Sequence, residues 1–258
     1  MISFTQAQLD QWLTAFFWPL TRVAAVLAAA PVLGQLRIPT RVRIGFAAAI
    51  TLAIVPTLPA MPPIAPASAA GIIVLITQVI IGLAIGFALR LVFAAVEMAG
   101  ELIGLQMGLG FAVFYNPANI QHTPILGNFL SLLASLVFLS LNGHLAVFAA
   151  LAESFRLLPI SADAVPGSFF EVLARHGAVI FTAGLHLALP LIVTMLIVNL
   201  ALGVLTRAAP QLNIFAVGFP VTLAIGFAAL VLMLPYLAPV LERTLDSAFR
   251  VVANLPAR

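Results

Sequence analysis

Charged residues are scarce in this sequence, and two reactive residue types are missing altogether. Its 258 residues include no cysteine and no lysine, and only 7% of them are charged. The lack of cysteine excludes a disulfide framework, thiolate metal ligands and a cysteine nucleophile. The lack of lysine excludes a Walker A phosphate-binding loop, which needs that residue beside its glycines.

Apolar residues take the place of the missing charges, at 63% of the chain and with a mean hydropathy of +1.20. Because so few charges do not cover the outside of a soluble protein of this length, the composition predicts a membrane protein. The eleven positive residues are arginines scattered singly, whereas nucleic-acid binding needs a clustered basic face. Nucleic-acid binding is therefore not expected, and neither is a cleaved signal peptide, since residues 1–11 contain no basic residue.

Side chains that catalyse reactions or hold metals are not grouped in the sequence. The four histidines, at positions 122, 144, 176 and 186, lie in separate segments without metal-ligand spacing. Neither a GxSxG nor a GxGxxG motif is present. The sequence thus predicts no enzyme, no metal site and no cofactor.

Six apolar blocks approach the length of a membrane-spanning helix. Crossing roughly 30 Å of hydrocarbon takes about 20 residues, so five blocks are long enough and the second is marginal. Backbone groups in lipid must bond internally, which predicts an all-α membrane protein. The blocks cover residues 12–33, 44–59, 70–96, 125–151, 177–205 and 214–240.

The first two loops give the only topological signals. Arg37, Arg41 and Arg43 lie between the first two blocks and predict a cytoplasmic loop, with the N-terminus outside. Strict alternation then places equal numbers of arginines on the two sides when all the loops are counted, so only the first loop favours this topology. Residues 56–66 carry five prolines and no charge, so they are not expected to be helical throughout.

Polar residues inside the apolar blocks predict helices that pack against protein. Arg22 lies within the first block, and an arginine at the centre of a bilayer costs about 2.5 to 3.5 kcal/mol. We therefore expect Arg22 to face protein or water.

Glycines at four-residue spacing predict close helix packing. Gly82 and Gly86 form one such ridge, and Gly100 and Gly104 form another, which Gly108 continues. The alternative is that glycine is simply common in membrane helices.

Two segments predict short amphipathic helices. One begins after Gly167. The other is the tail, residues 241–258, where Leu241, Leu245, Phe249 and Val252 recur at three- and four-residue spacing.

The stretch from residue 97 to residue 124 has the composition of neither a plain span nor a solvated loop. It carries two acids, Glu97 and Glu101, then four glycines and an aromatic cluster. The acids lie one turn apart on one helix face, where they could bind a cation, as in a secondary transporter, or cap a packed interface. The aromatic residues are compatible with an interfacial loop or with a segment that blocks a passage. The cluster is Phe111, Phe114 and Tyr115, followed by the helix breaker Asn116-Pro117.

Four segments, in order, resemble the FliR family of flagellar export proteins, which is shared with the inner-membrane export apparatus of type III secretion systems. The resemblance runs from about residue 22 to residue 240 and departs from the commoner pattern at Tyr115-Asn116, where an acidic residue often precedes the proline. The segments are RVAAVLAAAPVLGQLRIPTRVRIGFAAAIT, QMGLGFAVFYNPA, FLSLNGH and NLALGVLTRAAPQLNIFAVGFP.

This resemblance implies a non-enzymatic channel subunit in the bacterial inner membrane, at the flagellar basal body. Members of the family join FliP-like and FliQ-like subunits in a helical pore assembly through which unfolded flagellar subunits are exported. An FlhB-like protein closes around the cytoplasmic side, and an FlhA-like protein lies beneath. A virulence-type secretion gate is the alternative within the family, and a secondary transporter is the alternative outside it.

The resemblance also implies how one subunit of residues 1–258 is divided. A FliP-like portion, about 1–176, precedes a FliQ-like helical hairpin, about 177–240, and the tail 241–258. The family's plug loop falls on residues 107–123, here called the plug segment. In the hairpin turn, Arg207 and Gln211 would face a cytoplasmic partner, and Arg207 also caps a helix C-terminus. The implied gating residues are Met107, Gly108, Gly110, Phe111, Phe114, Tyr115, Asn116 and Pro117.

Overall fold

A computed structural model describes residues 6–32, 39–59, 61–62, 64–110, 124–211 and 214–256. Arg37 of the predicted cytoplasmic loop lies outside these residues. So do Phe111, Phe114, Tyr115, Asn116 and Pro117 of the plug segment.

The described part of the chain forms eight α-helices, one short 3-10 turn at Val55–Thr57 and no strand. Five helical stretches are long and apolar enough to cross a membrane, or six if α4 and α5 count as one broken span. The predicted all-α membrane fold is therefore confirmed. The helices are α1 Gln6–Ala29, α2 Thr40–Ile54, α3 Ala69–Gln106, α4 Ile125–Ser140, α5 Gly143–Leu157, α6 Gly167–His176, α7 Val179–Ala208 and α8 Ile214–Ala253.

Three boundaries differ from the predicted blocks. The fourth block is not one helix, because Leu141 and Asn142 separate α4 from α5 and Asn142 has a left-handed φ of 55°. The third block continues ten residues beyond Val96 to Gln106. The sixth continues to Ala253, so most of the predicted amphipathic tail is the last part of α8 rather than a separate helix.

Two of the helices are much longer than a bilayer is thick. α3 has 38 residues and α8 has 40, which correspond to about 57 and 60 Å at 1.5 Å per residue. Even a tilt of about 40° leaves part of such a helix outside roughly 30 Å of hydrocarbon. Both helices therefore extend beyond the bilayer core.

The chain divides into two compact units that interleave along the sequence. Unit 1 comprises Met1–Leu91, Asn142–Gly177 and Leu245–Arg258, and unit 2 comprises Val92–Leu141 and Ala178–Thr244. The chain passes from one unit to the other within α3, at the break between α4 and α5, after α6 and within α8.

In unit 1, α1 packs against both α2 and the first half of α3. A Cβ atom built at Gly82 would lie 2.6 Å from Ala25 Cβ, and one at Gly86 would lie 2.5 Å from Ala29 Cβ. Because the contacts advance together along both helices, α1 and α3 run parallel there, as expected if α2 returns between them. The short α6 has the predicted amphipathic character, with Phe169 fully buried.

Arg22 is completely buried in unit 1 and held by neutral acceptors. Its Nε donates to Gln78 Oε1 at 2.8 Å, and its Nη2 donates to the Leu158 carbonyl at 2.8 Å. Its Nη1 donates to the carbonyl and hydroxyl oxygens of Ser154, and its Cζ lies 4.1 Å from the centre of the Phe155 ring. Since α5 ends at Leu157, the guanidinium meets the negative end of that helix. The expectation that Arg22 is turned toward protein is confirmed.

In unit 2, α7 and α8 lie side by side. Residues 186–194 of α7 and 229–240 of α8 line a common groove. Many of their apolar side chains remain exposed, and only 22% and 28% of the residues in their most apolar stretches are buried.

Candidate functional site

The plug segment begins at the end of α3, where a glycine stops the helix. Gly108 has a φ of 80°, a left-handed conformation that L side chains rarely adopt. The Gly108 N–H bonds to the Leu105 carbonyl at 3.1 Å, and the Leu109 N–H bonds to the Gly104 carbonyl at 3.0 Å. These two bonds are those of a Schellman C-cap. The helix thus ends before the Asn116-Pro117 breaker that the sequence suggested.

Met107, the first residue of the plug segment, is an anchor in unit 2. Its side chain is completely buried. A Cβ atom built at Gly226 of α8 would lie 2.6 Å from Met107 Cγ and 2.8 Å from Met107 Cε. The absence of a side chain at Gly226 therefore makes room for Met107, which holds the start of the segment against α8. Gly110, three residues farther on, is only partly buried.

The helices on either side of the plug segment, α3 and α4, cross in close contact. A Cβ atom built at Gly100 would lie 2.6 Å from Gly127 Cα and 2.7 Å from the Leu126 carbonyl oxygen. Farther along, the rings of Phe93 and Phe138 meet edge to face with centres 5.7 Å apart. The helices are therefore antiparallel neighbours in backbone contact, and the plug segment connects them. Both helices that flank the segment belong to unit 2.

The four ridge glycines do not have equivalent surroundings. Gly82, Gly86 and Gly100 each lie where a Cβ would come within 2.6 Å of a neighbouring helix. Nothing lies closer than 3.8 Å to a Cβ at Gly104, which is ordinary van der Waals contact. Only three of the four positions thus exclude a larger side chain.

The hairpin turn and the two acids lie at exposed positions. Arg207 is exposed in the last turn of α7, where its charge favours the negative helix end, and Gln211 is exposed beyond it. Glu97 and Glu101 are exposed on α3. Among the described residues no three acids or histidines come together as a metal site would require.

Two residues that hold the plug segment could not be found from glycine spacing. Gly127 and Gly226 have no glycine four residues away on their own helices. Their role depends on the residue opposite, which is Gly100 for one and Met107 for the other. Only the proline before α4, Pro124, gave a local signal, since it marks a helix start three residues before Gly127.

Comparison with known proteins places the chain in a family. The model of the family described as bacterial export proteins, family 1, matches residues 13–248. The flagellar biosynthetic protein FliR of Pectobacterium carotovorum subsp. carotovorum is 45% identical over 256 residues, covering 99% of this chain and 97% of that protein. The FliR of Escherichia coli (strain K12) is 43% identical with the same coverage, and that of Aquifex aeolicus (strain VF5) is 32% identical over 94% of this chain and 93% of its own. With these matches over nearly its whole length, the chain belongs to family 1 of the bacterial export proteins, the family of the FliR flagellar biosynthetic proteins.

Proposed function

We propose that the chain is a non-enzymatic channel subunit of the flagellar type III export gate, in the bacterial inner membrane at the flagellar basal body. In this proposal the plug segment closes the pore through which unfolded flagellar subunits pass. The observation that supports it is the close packing beside the segment, where Met107 is buried against Gly226 and Gly100 of α3 lies against Gly127 of α4.

A plug needs fixed ends and a bulky middle. Fixed ends limit how far the segment moves, since the entropy of a loop depends on where its termini are held. Phe111, Phe114 and Tyr115 supply the bulk. Gly108 and Gly110 allow the backbone to turn sharply between the anchor and these rings.

The exposed faces of the chain support assembly with other helices. Gly45 of α2 and Gly203 of α7 are exposed, and a Cβ at either would meet nothing within 4 Å. A glycine inside a helix costs about 0.5 to 1 kcal/mol relative to alanine, and this chain alone gains nothing for it. Such positions admit the close approach of a partner backbone. The partners we propose are FliP-like and FliQ-like subunits in the gate, with FlhB-like and FlhA-like proteins on the cytoplasmic side.

The two-portion division is part of this proposal. The side-by-side arrangement of α7 and α8 supports a FliQ-like hairpin over residues 177–240, after a FliP-like portion over 1–176. The tail then continues α8. Arg207 and Gln211 lie exposed on the side of the turn that would meet the cytoplasmic partner.

Removing the plug tests the channel role directly. Deletion of residues 108–119 in the assembled gate should raise the ion leak across the inner membrane. Replacing Phe111 and Phe114 together by alanine should do the same, whereas replacing both by leucine, which keeps most of the bulk, should leak less. Unchanged leak in the deletion variant, with the gate shown to be assembled, would count against a plug.

Copurification tests the assembly. The chain should be recovered with a tagged FliP-like subunit, and Gly203→Leu should lower that recovery while leaving the isolated chain as stable as before. Failure of the unaltered chain to copurify would contradict the gate model. Solute uptake into liposomes by the isolated chain would favour a transporter instead.

A further inference from the structure

The groove between α7 and α8 has an apolar floor and an open side. Its volume is about 430 Å³. Leu187 and Leu191 of α7 and Met233 of α8 form the floor and are at most 5% exposed. Leu232 and Tyr236 stand on the rim and are 75% and 67% exposed. Both helices belong to stretches apolar enough to cross a membrane, and the open side of the groove is lined by apolar side chains.

The groove is polar at one end only. His186 of α7 and Tyr236 of α8 lie at the end nearest the start of α7. Thr194 and Ala229 lie at the opposite end, and the Thr194 hydroxyl is satisfied because it donates to the Pro190 carbonyl at 2.8 Å. The end of the groove at Thr194 and Ala229 therefore offers no polar side chain with an unpaired hydrogen.

On α8, a positively charged residue lies just beyond the polar end of the groove. Arg243 is exposed and lies seven residues after Tyr236 and three after Val240, so it is on the same face of the helix. Neither ion pair found between described residues involves Arg243. Glu242 precedes it by one residue and therefore points to a different side of the helix.

The size of the groove indicates an occupant thinner than a helix. The span from His186 to Thr194 is eight residues, or about 12 Å of helix. Dividing 430 Å³ by this length gives a cross-section of about 36 Å². A helix roughly 10 Å across has a cross-section of about 80 Å², so the groove fits a single extended hydrocarbon chain.

We propose that this groove binds an anionic phospholipid. One acyl chain lies on Leu187, Leu191 and Met233, and the phosphate meets Arg243 beside Tyr236. Basic side chains at the ends of membrane helices attract anionic headgroups, and tyrosine favours the same interfacial depth. This proposal does not depend on the channel role, because the site lies within one chain.

Native mass spectrometry of the full chain in mild detergent tests the site, with phosphatidylglycerol and phosphatidylcholine of identical acyl chains offered in equal amounts. We expect phosphatidylglycerol to be retained in preference. Arg243→Gln should reduce its retention about fivefold, the effect of roughly 1 kcal/mol from one arginine near an anionic headgroup. Arg175→Gln is the matched control, since it removes the same charge from α6, outside the groove and in an ion pair with Glu171, and should retain the lipid normally.

A second measurement probes the groove itself. Because the chain lacks cysteine, a fluorophore on Leu232→Cys is the only thiol label, and phosphatidylglycerol carrying a nitroxide on its acyl chain should quench it. Ala229→Phe, which fills the end of the groove at Thr194, should abolish the quenching. Equal retention of the two lipids, an equal loss in Arg175→Gln, or no quenching would overturn the proposal. Crosslinking of Leu232→Cys to a partner subunit in the assembled gate, without lipid, would overturn it in favour of a protein occupant.

Discussion

Replacing Gly100 and Gly104 by alanine, one at a time, separates close helix packing from helix propensity. The residues lie one turn apart on α3, and the same methyl group is added at each. At Gly100 the new Cβ would lie 2.6 Å from Gly127 Cα and 2.7 Å from two further backbone atoms. No side-chain rotation relieves contacts with backbone. The crossing must therefore open by about 0.8 Å to reach ordinary contact at 3.4 Å.

The magnitude follows from two opposing terms. Each substitution gains about 0.5 to 1 kcal/mol of helix stability, because alanine loses less backbone freedom than glycine. Overpacking costs about 1 to 3 kcal/mol and applies to Gly100→Ala alone, since Gly104→Ala meets nothing within 3.8 Å. The propensity term cancels in the comparison. Gly104→Ala should thus be more stable than Gly100→Ala by about 1 to 3 kcal/mol.

Thermal unfolding of the purified chain in detergent, followed by circular dichroism, measures this difference. At about 2 to 4 °C per kcal/mol for a chain of this size, the Tm of Gly104→Ala should exceed that of Gly100→Ala by several degrees. In the assembled gate, Gly100→Ala should also raise the ion leak, because the base of the plug segment moves. Equal melting temperatures, or a higher one for Gly100→Ala, would refute the close crossing.

Three further substitutions test other contacts by the same melting measurement. Arg22→Met should destabilise the chain by about 2 to 3 kcal/mol, because buried carbonyl groups at the end of α5 lose their donor, and an unchanged Tm would contradict that role. Asn142→Val should cost about 1 to 2 kcal/mol at its left-handed φ whereas Asn142→Gly should not, so equal effects of the two would argue against that conformation. Gly226→Leu should destabilise by displacing Met107, and adding Met107→Ala should restore part of the loss, as a double-mutant cycle would show.

The all-α membrane class and the approximate position of each apolar stretch could be predicted because hydropathy indicates which segments avoid water. Helix ends could not, since they depend on backbone conformation. Gly108 continues the four-residue spacing of Gly100 and Gly104, and that spacing predicts one ridge of three glycines. Its positive φ instead makes Gly108 a C-cap. The same glycine fits both patterns, and only the backbone distinguishes them.

The break in the fourth block and the continuation of the sixth have a related cause. The few polar residues around Leu141-Asn142 lie within a longer apolar stretch, so averaged hydropathy shows no boundary where Asn142 has its left-handed φ. After Val240 the hydropathy falls although the backbone stays helical to Ala253. Buried Leu241, Leu245 and Val252 keep one face apolar there, as predicted, while Phe249 is only half-buried. Hydropathy measures how strongly a segment avoids water, and it does not measure where the helical backbone begins or ends.

The ridge glycines show that close helix contacts cannot be predicted from the sequence of one helix alone. Gly100 and Gly104 share one helix, one spacing and one face, yet only Gly100 meets another small residue, Gly127. Opposite Gly104 is the side chain of Leu126, which keeps the backbones apart. Two helices approach closely only where both have small residues at the crossing point.

Unit 1 has this two-sided pattern in full. Gly82 and Gly86 of α3, four residues apart, face Ala25 and Ala29 of α1, which are also four apart. A search for matched pairs of small residues on two helices would therefore have included this crossing, whereas its parallel direction follows only from which residues are in contact. It would also have omitted Gly104, whose neighbour on α4 is large. For a chain this apolar, the position of contact is determined by where side chains are small on both helices, since apolar surface alone is present nearly everywhere.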